Sequence, residues 1–317
     1  MRFAIVGAGA TGGFLGAHLV KAGEEVLLVA RGAHLAAMRE RGVTVRSGGE
    51  EFTARPDCTD DLAAIRAADV VFLTLKAHAI PPVAAAIGAA LGPEACVVGA
   101  QNGIPWWYFE DRHLESVDPG GVIARSIPYR RVVGCIVYPA TRIVEPGVIE
   151  HLEGNRFTLG EPDGSRSERV LAISSALVRA GLRAPIQKRI RNELWLKLLG
   201  NATLNPVSAL TRATLAEIVS SGATREVVRR LMEEVDAVAA ALGVDVPLSI
   251  EKRMEGAAAT GGHRTSMLQD LEAGRPLEVE ALLGAVVELA AGEGVEVPAL
   301  RTLYGLTRLL DEVNRRP

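Results

Sequence analysis

A lysine and two asparagines stand in an otherwise apolar, helix-forming stretch, RNELWLKLLGNATLNP, which runs from residue 191 to 206. Lys197, Asn201 and Asn205 are four residues apart, so one continuous helix would carry all three within roughly 80° on one face. The flanking residues are mostly leucine, which indicates a buried helix. A buried lysine needs a partner or a polar cavity. The stretch therefore predicts either a lined cavity or a helix edge at solvent, with Asn205-Pro206 ending the helix.

Three glycines near the N-terminus form a second chemical motif. Gly7, Gly9 and Gly12 fit G-x-G-x-x-G directly after a β-prone run and at the start of a helical stretch. Such glycines allow a tight turn close to a pyrophosphate, which binds the free N–H groups at the start of the helix. In this strand–turn–helix context the motif predicts dinucleotide binding; the alternative is an ordinary glycine-rich turn.

Arg31, Lys76 and Asn102 each follow a predicted strand. The strand before Arg31 lacks the terminal carboxylate that binds the ribose 2′-hydroxyl of NAD, whereas a guanidinium suits a 2′-phosphate. This favours NADP(H), unless Arg31 is only an exposed residue after a strand. Lys76 and Asn102 are expected at the carboxyl edge of the sheet, where ligands bind. They become plausible contacts to the nicotinamide half and to substrate, although each could be a solvated strand end or a turn.

Ser266 and Glu278 lie on either side of a polar turn in HRTSMLQDLEAGRPLEVEALLG. Glu278 is predicted to start a helix, and a glutamate in the first turn interacts favourably with the helix dipole. Ser266 has an equally simple local use as a hydrogen-bonding residue. No spacing joins either residue to Lys197.

The elements that must position these residues change character along the chain. In the first third, short β-branched runs alternate with alanine-rich helical stretches, which predicts a parallel sheet covered by helices. Residues 131–159 predict mostly antiparallel strands that close this sheet. From residue 188 onward the pattern is helical. We expect an α/β protein with an N-terminal Rossmann dinucleotide-binding domain at residues 1–186 and an all-α C-terminal domain at residues 187–317.

Composition narrows the classes of function. The 317 residues are 48% hydrophobic, enough for two cores, and the net charge of -3 argues against nucleic acid or anionic membrane as a partner. Three widely spaced cysteines suggest neither a disulfide framework nor a zinc site, so no metal is expected and a reducing cytoplasm fits best. No apolar run approaches the length of a membrane span.

The chain resembles the ketopantoate reductase (2-dehydropantoate 2-reductase) family over essentially its full length. The segments GAGATGG, QNG, PGVIEH, WLKLLGNATLNPVSAL, SMLQD and LEVEALLG occur in the family's order. The resemblance implies a Rossmann domain, a helical domain and an active site in the cleft between them. It also implies NADPH as cofactor, a small 2-oxoacid as substrate and, since family members often dimerise, a homodimer.

The resemblance also implies roles for individual residues. Lys197 and Glu278 are the expected catalytic residues, with Lys197 as general acid towards the ketone oxygen. Partial desolvation would lower the pKa of such a lysine towards the working pH. The implied substrate-binding residues are Asn102, Asn201, Asn205 and Ser266. The implied cofactor-binding residues are Gly7, Gly9, Ala10, Thr11, Gly12, Arg31, Lys76 and Asn102.

Four consecutive aromatic residues, Trp106, Trp107, Tyr108 and Phe109, depart from the family's pattern. They indicate either packing between elements or subunits, or an altered substrate pocket or lid. The expected function is NADPH-dependent reduction of 2-dehydropantoate to pantoate, on the route to pantothenate and coenzyme A. The alternative is a paralogous reductase of another bulky or aromatic 2-oxoacid. A third hypothesis is a non-catalytic NADP-binding protein.

Overall fold

A computed structural model describes residues 1–262 and 264–316 and shows two compact units. The first unit contains residues 1–101, 106–113 and 120–190, and the second contains 102–105, 114–119 and the chain from 191 onward. Two short segments of the N-terminal half therefore belong to the helical unit. The assignment of cofactor binding to residues 1–186, and of substrate binding and dimerisation to residues 187–317, stays a prediction.

Eleven strands form among the described residues. They are β1 (Arg2–Val6), β2 (Glu25–Val29), β3 (Val43–Ser47), β4 (Glu50–Ala54), β5 (Asp57–Thr59), β6 (Val70–Leu73), β7 (Cys96–Gly99), β8 (Val132–Val137), β9 (Ala140–Glu145), β10 (Val148–Glu153) and β11 (Phe157–Gly160). The main sheet has seven strands in the order β11-β8-β7-β6-β1-β2-β5. Neighbours in this sheet are parallel except β11, which is antiparallel to β8. The predicted Rossmann arrangement is confirmed.

A second sheet of four strands has the order β4-β3-β10-β9. The expectation that residues 131–159 close the main sheet is right for β8 and β11 and wrong for β9 and β10. These two form an antiparallel pair, and β10 joins β3 in parallel. Ile149 of β10 is fully buried and lies against α1 at Gly13. The hairpin therefore buries its apolar residue on a helix instead of extending the main sheet.

The helices of the first unit are α1 (Ala10–Lys21), α2 (Gly32–Arg41), α3 (Ala84–Ala90), α4 (Val122–Ser126) and α5 (Glu168–Arg179). Those of the C-terminal region are α6 (Ile190–Asn201), α7 (Leu204–Thr211), α8 (Leu215–Ser220), α9 (Gly222–Ala241), α10 (Ile250–Ala259), α11 (Ser266–Glu272), α12 (Ala285–Gly292) and α13 (Pro298–Asn314). A π-helical segment, Glu280–Gly284, leads directly into α12. Within the described ranges, every helix is too short or too polar to cross a lipid bilayer.

The lysine and the two asparagines do not share one helix, so that prediction is wrong. α6 ends at Asn201, and Asn205 lies in the first turn of α7. Pro206 has no N–H for the bond that would continue the helix. At the break, the Thr203 hydroxyl donates to the carbonyl of Leu199 at 2.7 Å. The break gives Asn205 a direction independent of α6.

Each unit has its own apolar core. In the first unit, residues of the main sheet such as Ile5, Leu28 and Phe72 are fully buried, together with Phe14 and Leu15 of α1. In the second unit the buried residues come from several helices and include Leu198, Leu231, Leu268, Leu283 and Leu300. Two cores agree with the composition of the chain, and each gives its site a rigid support.

Candidate functional site

The glycine-rich turn of the first unit connects β1 to α1. Gly7 has φ 97, a left-handed conformation, and a β-carbon there would lie 2.7 Å from the backbone nitrogen of Leu75. Its carbonyl accepts hydrogen bonds from the N–H of Gly9 at 2.6 Å and the hydroxyl of Thr74 at 2.8 Å. Only glycine satisfies both the conformation and the close approach at position 7.

The other two glycines of the motif have different surroundings. A β-carbon on Gly12 would lie 2.5 Å from the Thr74 hydroxyl oxygen, so Gly12 allows α1 to pack closely on the turn. Beside Gly9 the nearest atom to such a β-carbon is the Gly7 carbonyl oxygen at 3.9 Å, which leaves room for a ligand. Gly9 precedes α1, whose first turn carries no acidic residue. This open space at the N–H groups of Ala10 and Thr11 fits a pyrophosphate.

Arg31 and Lys76 stand at the carboxyl ends of β2 and β6. Arg31 is exposed, directly precedes α2, and its side chain makes no hydrogen bond or ion pair with any residue that the structure describes. Lys76 is half-buried and precedes a short 3₁₀ turn, Ala77–Ala79. Both strands pair with β1, so both cations lie on the edge of the sheet that carries the glycine-rich turn. The edge therefore offers cations to an anionic dinucleotide.

Thr74 is a positioning residue that sequence reasoning missed. Its hydroxyl fixes the Gly7 carbonyl, and its oxygen occupies the space above Gly12. Gln101 plays a similar part at the end of β7, where its amide nitrogen donates to the carbonyl of Leu73 in β6. A threonine or glutamine after a strand carries no distinctive spacing, so neither role has a signal in the sequence.

The consecutive aromatic residues pack within the first unit. Trp106, Trp107 and Tyr108 form a short 3₁₀ turn and are 4%, 2% and 2% exposed. The Trp107 indole lies over Gly99 of β7 and Gly134 of β8, where β-carbons would lie 3.0 Å from its atoms Cδ1 and Cζ2. These contacts support the packing interpretation of the aromatic stretch.

Lys197, Asn102 and Glu278 come together in the second unit. The Lys197 ammonium donates to the amide oxygen of Asn102 at 2.7 Å, and the Asn102 amide nitrogen donates to the Glu278 carboxylate at 3.2 Å. All three residues are half-buried. A neutral amide thus links a cation to an anion, and hydrogen bonds to ionised groups are stronger than neutral ones. The position of the Lys197 amine is thereby fixed by a side chain that carries no charge.

Glu278 is placed by the start of the C-terminal helices. Its carbonyl accepts a hydrogen bond from the N–H of Leu282 at 3.2 Å, and the π-helical segment Glu280–Gly284 begins two residues later. Glu280 in turn accepts a hydrogen bond from the Tyr304 hydroxyl of α13 at 2.8 Å. The prediction that a helix starts at Glu278 is right to within two residues. π-Helical turns are rare and occur frequently at functional sites.

Asn102 is held on the same segment by the two residues that follow it. The N–H of Ile104 donates to the carbonyl of Ala281 at 2.9 Å. Gly103 has φ 80, and a β-carbon there would lie 2.5 Å from the carbonyl carbon of Ala281. The glycine of the sequence QNG therefore permits the close approach that brings Asn102 to Glu278.

Among the described residues, the remaining predicted site residues of the second unit make no side-chain hydrogen bond to this group. Asn201 is half-buried at the end of α6, and Asn205 is 8% exposed in α7. Within residues 1–262 and 264–316, neither amide makes a side-chain hydrogen bond. Buried amides normally have partners, so this pair is suited to a bound ligand. Ser266 is exposed at the first residue of α11, where the neighbouring Thr265 provides the helix cap.

Models of one protein family match both parts of the chain. The description "Ketopantoate reductase PanE/ApbA" matches residues 3–164, and its C-terminal counterpart matches residues 189–311. Together these matches cover most of the chain, including every residue of the two sites described above.

Individual proteins are similar over their whole length. A 2-dehydropantoate 2-reductase from Mesorhizobium japonicum is 45% identical over 98% of this chain and 98% of its own. A Ralstonia solanacearum protein whose crystal structure was assigned provisionally as a ketopantoate reductase has a TM-score of 0.94 at 42% identity, covering 99% and 98% of the two chains. A PanE/ApbA family ketopantoate reductase from Ralstonia eutropha JMP134 has a TM-score of 0.88 at 28% identity, with 100% of both chains covered.

Proposed function

The chain belongs to the ketopantoate reductase family, and we propose that it reduces 2-dehydropantoate to pantoate with NADPH. The protein is an oxidoreductase that uses a nicotinamide cofactor. The observation that carries the proposal is the hydrogen-bonded group Lys197–Asn102–Glu278. Ketone reduction requires a proton donor near the ketone oxygen, and a lysine ammonium group held in position can serve as that donor.

Lys197 acts as the general acid in this proposal. NADPH, when bound, supplies the hydride that adds to the ketone carbon. The electron pair of the carbonyl bond then moves to the oxygen, and Lys197 Nζ transfers a proton to that oxygen, so a hydroxyl forms and the neutral amine is reprotonated from water. A cation aimed at the developing alkoxide stabilises the transition state more than the ground state.

Asn102 and Glu278 orient the amine. Asn102 accepts a hydrogen bond from the Lys197 ammonium, whose three N–H donors allow it to donate to more than one oxygen. Glu278 accepts from the opposite side of the same amide and so keeps the amide oxygen towards Lys197. The Glu278 carboxylate also partly neutralises the charge of Lys197, from the other side of the Asn102 amide. Asn201, Asn205 and Ser266 are proposed to bind the hydroxyl and carboxylate groups of the substrate.

The cofactor preference is proposed from the first unit. Arg31 is exposed at the end of β2 and makes no side-chain hydrogen bond within the described residues, so its guanidinium suits the 2′-phosphate of NADPH. Gly7, Gly9, Ala10, Thr11 and Gly12 would hold the pyrophosphate. Lys76 and Asn102 are proposed as contacts to the rest of the cofactor.

A cytoplasmic homodimer is the proposed form of the protein. Its three cysteines are free thiols, which suits a reducing compartment. Burial raises the pKa of the Cys58 and Cys96 thiols to about 11, so they stay protonated and unreactive. Leu306, Leu309 and Val313 are about half exposed on one face of α13, which suits contact with a second copy of the chain. Sedimentation of the wild-type protein and a Leu309→Glu variant tests the dimer.

The test of the reaction is NADPH consumption by purified protein with 2-dehydropantoate beside phenylpyruvate at equal concentration. Rapid turnover of 2-dehydropantoate alone is expected. Preference for phenylpyruvate would replace the substrate with a bulky aromatic 2-oxoacid, and binding of NADPH without turnover of either acid would indicate a non-catalytic protein. The packing of Trp106 and Trp107 removes the observation that favoured an aromatic substrate.

A further inference from the structure

A second cation lies against α6, the helix that carries Lys197. Arg253 of α10 is half-buried, and its guanidinium lies against the backbone of Gly200. A β-carbon built on Gly200 would lie 2.6 Å from Arg253 Cζ and 2.7 Å from its Nε. Position 200 must therefore be glycine for the guanidinium to reach this surface of α6.

The position of Gly200 places the two cations on one side of α6. Gly200 is three residues beyond Lys197, which corresponds to a rotation of about 60° and a rise of about 4.5 Å along the helix. Asn201, adjacent to Gly200, is about 40° from Lys197 on the other side. The backbone positions of Lys197 and Asn201 and the part of α6 that Arg253 covers therefore lie within about one helical turn of each other.

This spacing matches the charge pattern of a 2-oxoacid. The ketone oxygen and the carboxylate belong to neighbouring carbon atoms, so their oxygens are about 3 Å apart. If Lys197 holds the ketone oxygen, the carboxylate needs a donor within about one helical turn, and residues three apart on a helix are about 5–6 Å from each other. The guanidinium fork binds a carboxylate through two parallel hydrogen bonds, which a lysine or an asparagine cannot do.

The charge of the substrate also favours such a group. Glu278 already places one carboxylate in the hydrogen-bonded group. The carboxylate of the substrate is repelled by Glu278. A guanidinium against α6 attracts that carboxylate.

We propose that Arg253 binds the carboxylate of the 2-oxoacid substrate and makes the site selective for acids over neutral ketones. The inference rests on the proposed function, because Lys197 must hold the ketone oxygen. A guanidinium that only ties α10 to α6 would affect stability and would not distinguish an acid from a neutral ketone.

The test compares 2-dehydropantoate with its lactone, in which the terminal hydroxyl has closed on the carboxyl group and removed its charge. Arg253→Met is expected to raise KM for the acid about 10- to 100-fold, with little change for the lactone. Arg253→Lys should fall between wild type and Arg253→Met, since it keeps the charge without the fork. Lys252→Met, which removes an exposed cation from the same helix, is the matched control and should change neither constant.

Gly200→Ala separates position from charge. The added methyl group would displace the guanidinium, while alanine favours a helix over glycine. The variant should melt at or above the wild-type temperature and still show a raised KM for the acid. Equal losses for acid and lactone in Arg253→Met, or an unchanged KM for the acid, would overturn the proposal.

A binding experiment distinguishes failure of this inference from failure of the proposed function. Protein saturated with NADP⁺ is titrated calorimetrically with oxamate, which carries a carboxylate next to a carbonyl and needs no turnover. Arg253→Met should weaken oxamate binding at least 10-fold relative to Lys252→Met. Equal affinities would reject the role of Arg253 even if 2-dehydropantoate is reduced. Weaker binding without turnover of 2-dehydropantoate would retain the carboxylate site and reject the substrate.

Discussion

The glycine-rich turn of the first unit depends on backbone atoms, whereas the lysine site of the second unit depends on side chains. In the turn, backbone atoms leave space, because a side chain at position 7 or 12 would overlap Leu75 or Thr74. In the lysine site, side chains make the contacts, and the bonded pairs are separated by 95 and 176 residues along the chain. Backbone sites are therefore local in sequence, whereas side-chain sites are assembled by the fold.

This difference predicts that the two functions can be lost separately. Replacing Lys197→Ala should lower kcat about 10²- to 10⁴-fold, the usual contribution of a general acid. NADPH affinity should stay at the wild-type value, because the glycine-rich turn is unchanged. Steady-state kinetics and NADPH fluorescence titration check both parts, with Lys252→Ala as the control. Parallel loss of turnover and NADPH affinity would mean that the two regions do not act separately.

The aromatic turn provides the second test, since it belongs to the first unit and is interpreted as packing. Trp107→Ala should cost about 3–5 kcal/mol of unfolding free energy, the range for truncating a large buried aromatic. Urea unfolding measures the loss, and Phe109→Ala, at a half-buried position, should lose less. The ratio of activities on 2-dehydropantoate and phenylpyruvate should not change. A changed ratio with wild-type stability would place Trp107 in substrate recognition.

Within the turn, we expect Gly9 to be needed for NADPH binding alone and Gly12 to be needed for both binding and stability. Gly9→Ala should weaken NADPH binding about 10- to 100-fold, because its methyl group would enter the space left for the pyrophosphate. The melting temperature should stay constant, since the nearest atom to that methyl group is 3.9 Å away. Gly12→Ala, whose methyl group would meet Thr74, should lose both affinity and stability. Equal melting temperatures in the two variants would contradict this division.

Arg31 tests the choice of cofactor with a smaller expected effect. Arg31→Asp should shift the ratio of kcat/KM for NADPH over NADH by about 10-fold or more towards NADH, since the guanidinium would no longer hold the 2′-phosphate. Arg66→Asp changes the same charge at another exposed position of the first unit. If the ratio of kcat/KM for NADPH over NADH stays constant in Arg31→Asp, a group other than Arg31 binds the 2′-phosphate.

The smallest predicted effect is on the pH dependence of the free energy of unfolding. It involves α1, the helix that follows the glycine-rich turn. His18 of α1 packs against two aromatic rings, and its ring centroid lies 4.5 Å from that of Phe14 and 5.2 Å from that of Phe52. Burial lowers the pKa of His18 below 6.5, and the neighbouring Lys21 and His151 lower it further, while its bond to the Ala180 carbonyl opposes the shift.

A lowered histidine pKa means that the unfolded chain binds more protons than the folded one. The free energy of unfolding should therefore decrease as the pH falls below about 6.5 towards the folded-state pKa. His18→Gln should flatten this dependence in urea unfolding curves. An unaltered slope in His18→Gln would remove His18 as the cause.

The sequence predicts the first unit better than the second for a physical reason. Gly7, Gly9 and Gly12 lie within one turn, so their spacing and the strand before them are sufficient to predict the structure of the motif. Thr74, which fixes that turn, gives no such signal because its partner is distant in the chain. The sequence likewise does not predict that β10 lies beside β3, because the pairing of two strands that are distant in the chain produces no pattern in either strand's sequence.

In the second unit the sequence predicts the residues but not their assembly. Helical spacing points to Lys197 and Asn201, yet the helix ends before Asn205 because Thr203 and Pro206 interrupt it. Only the resemblance to a family connects Glu278 and Asn102 to Lys197. Their contact depends on Gly103 packing on Ala281, which is a property of the fold and has no counterpart in spacing.

The most direct test of the proton-donor role is chemical rescue of Lys197→Ala by small amines. With NADPH and 2-dehydropantoate saturating, added methylammonium should restore part of the lost turnover, and the restored rate should depend on the pKa of the amine used. That result would show that the lysine acts by its acidic N–H group. A Lys197→Ala protein that turns over at the wild-type rate without any amine would contradict the account.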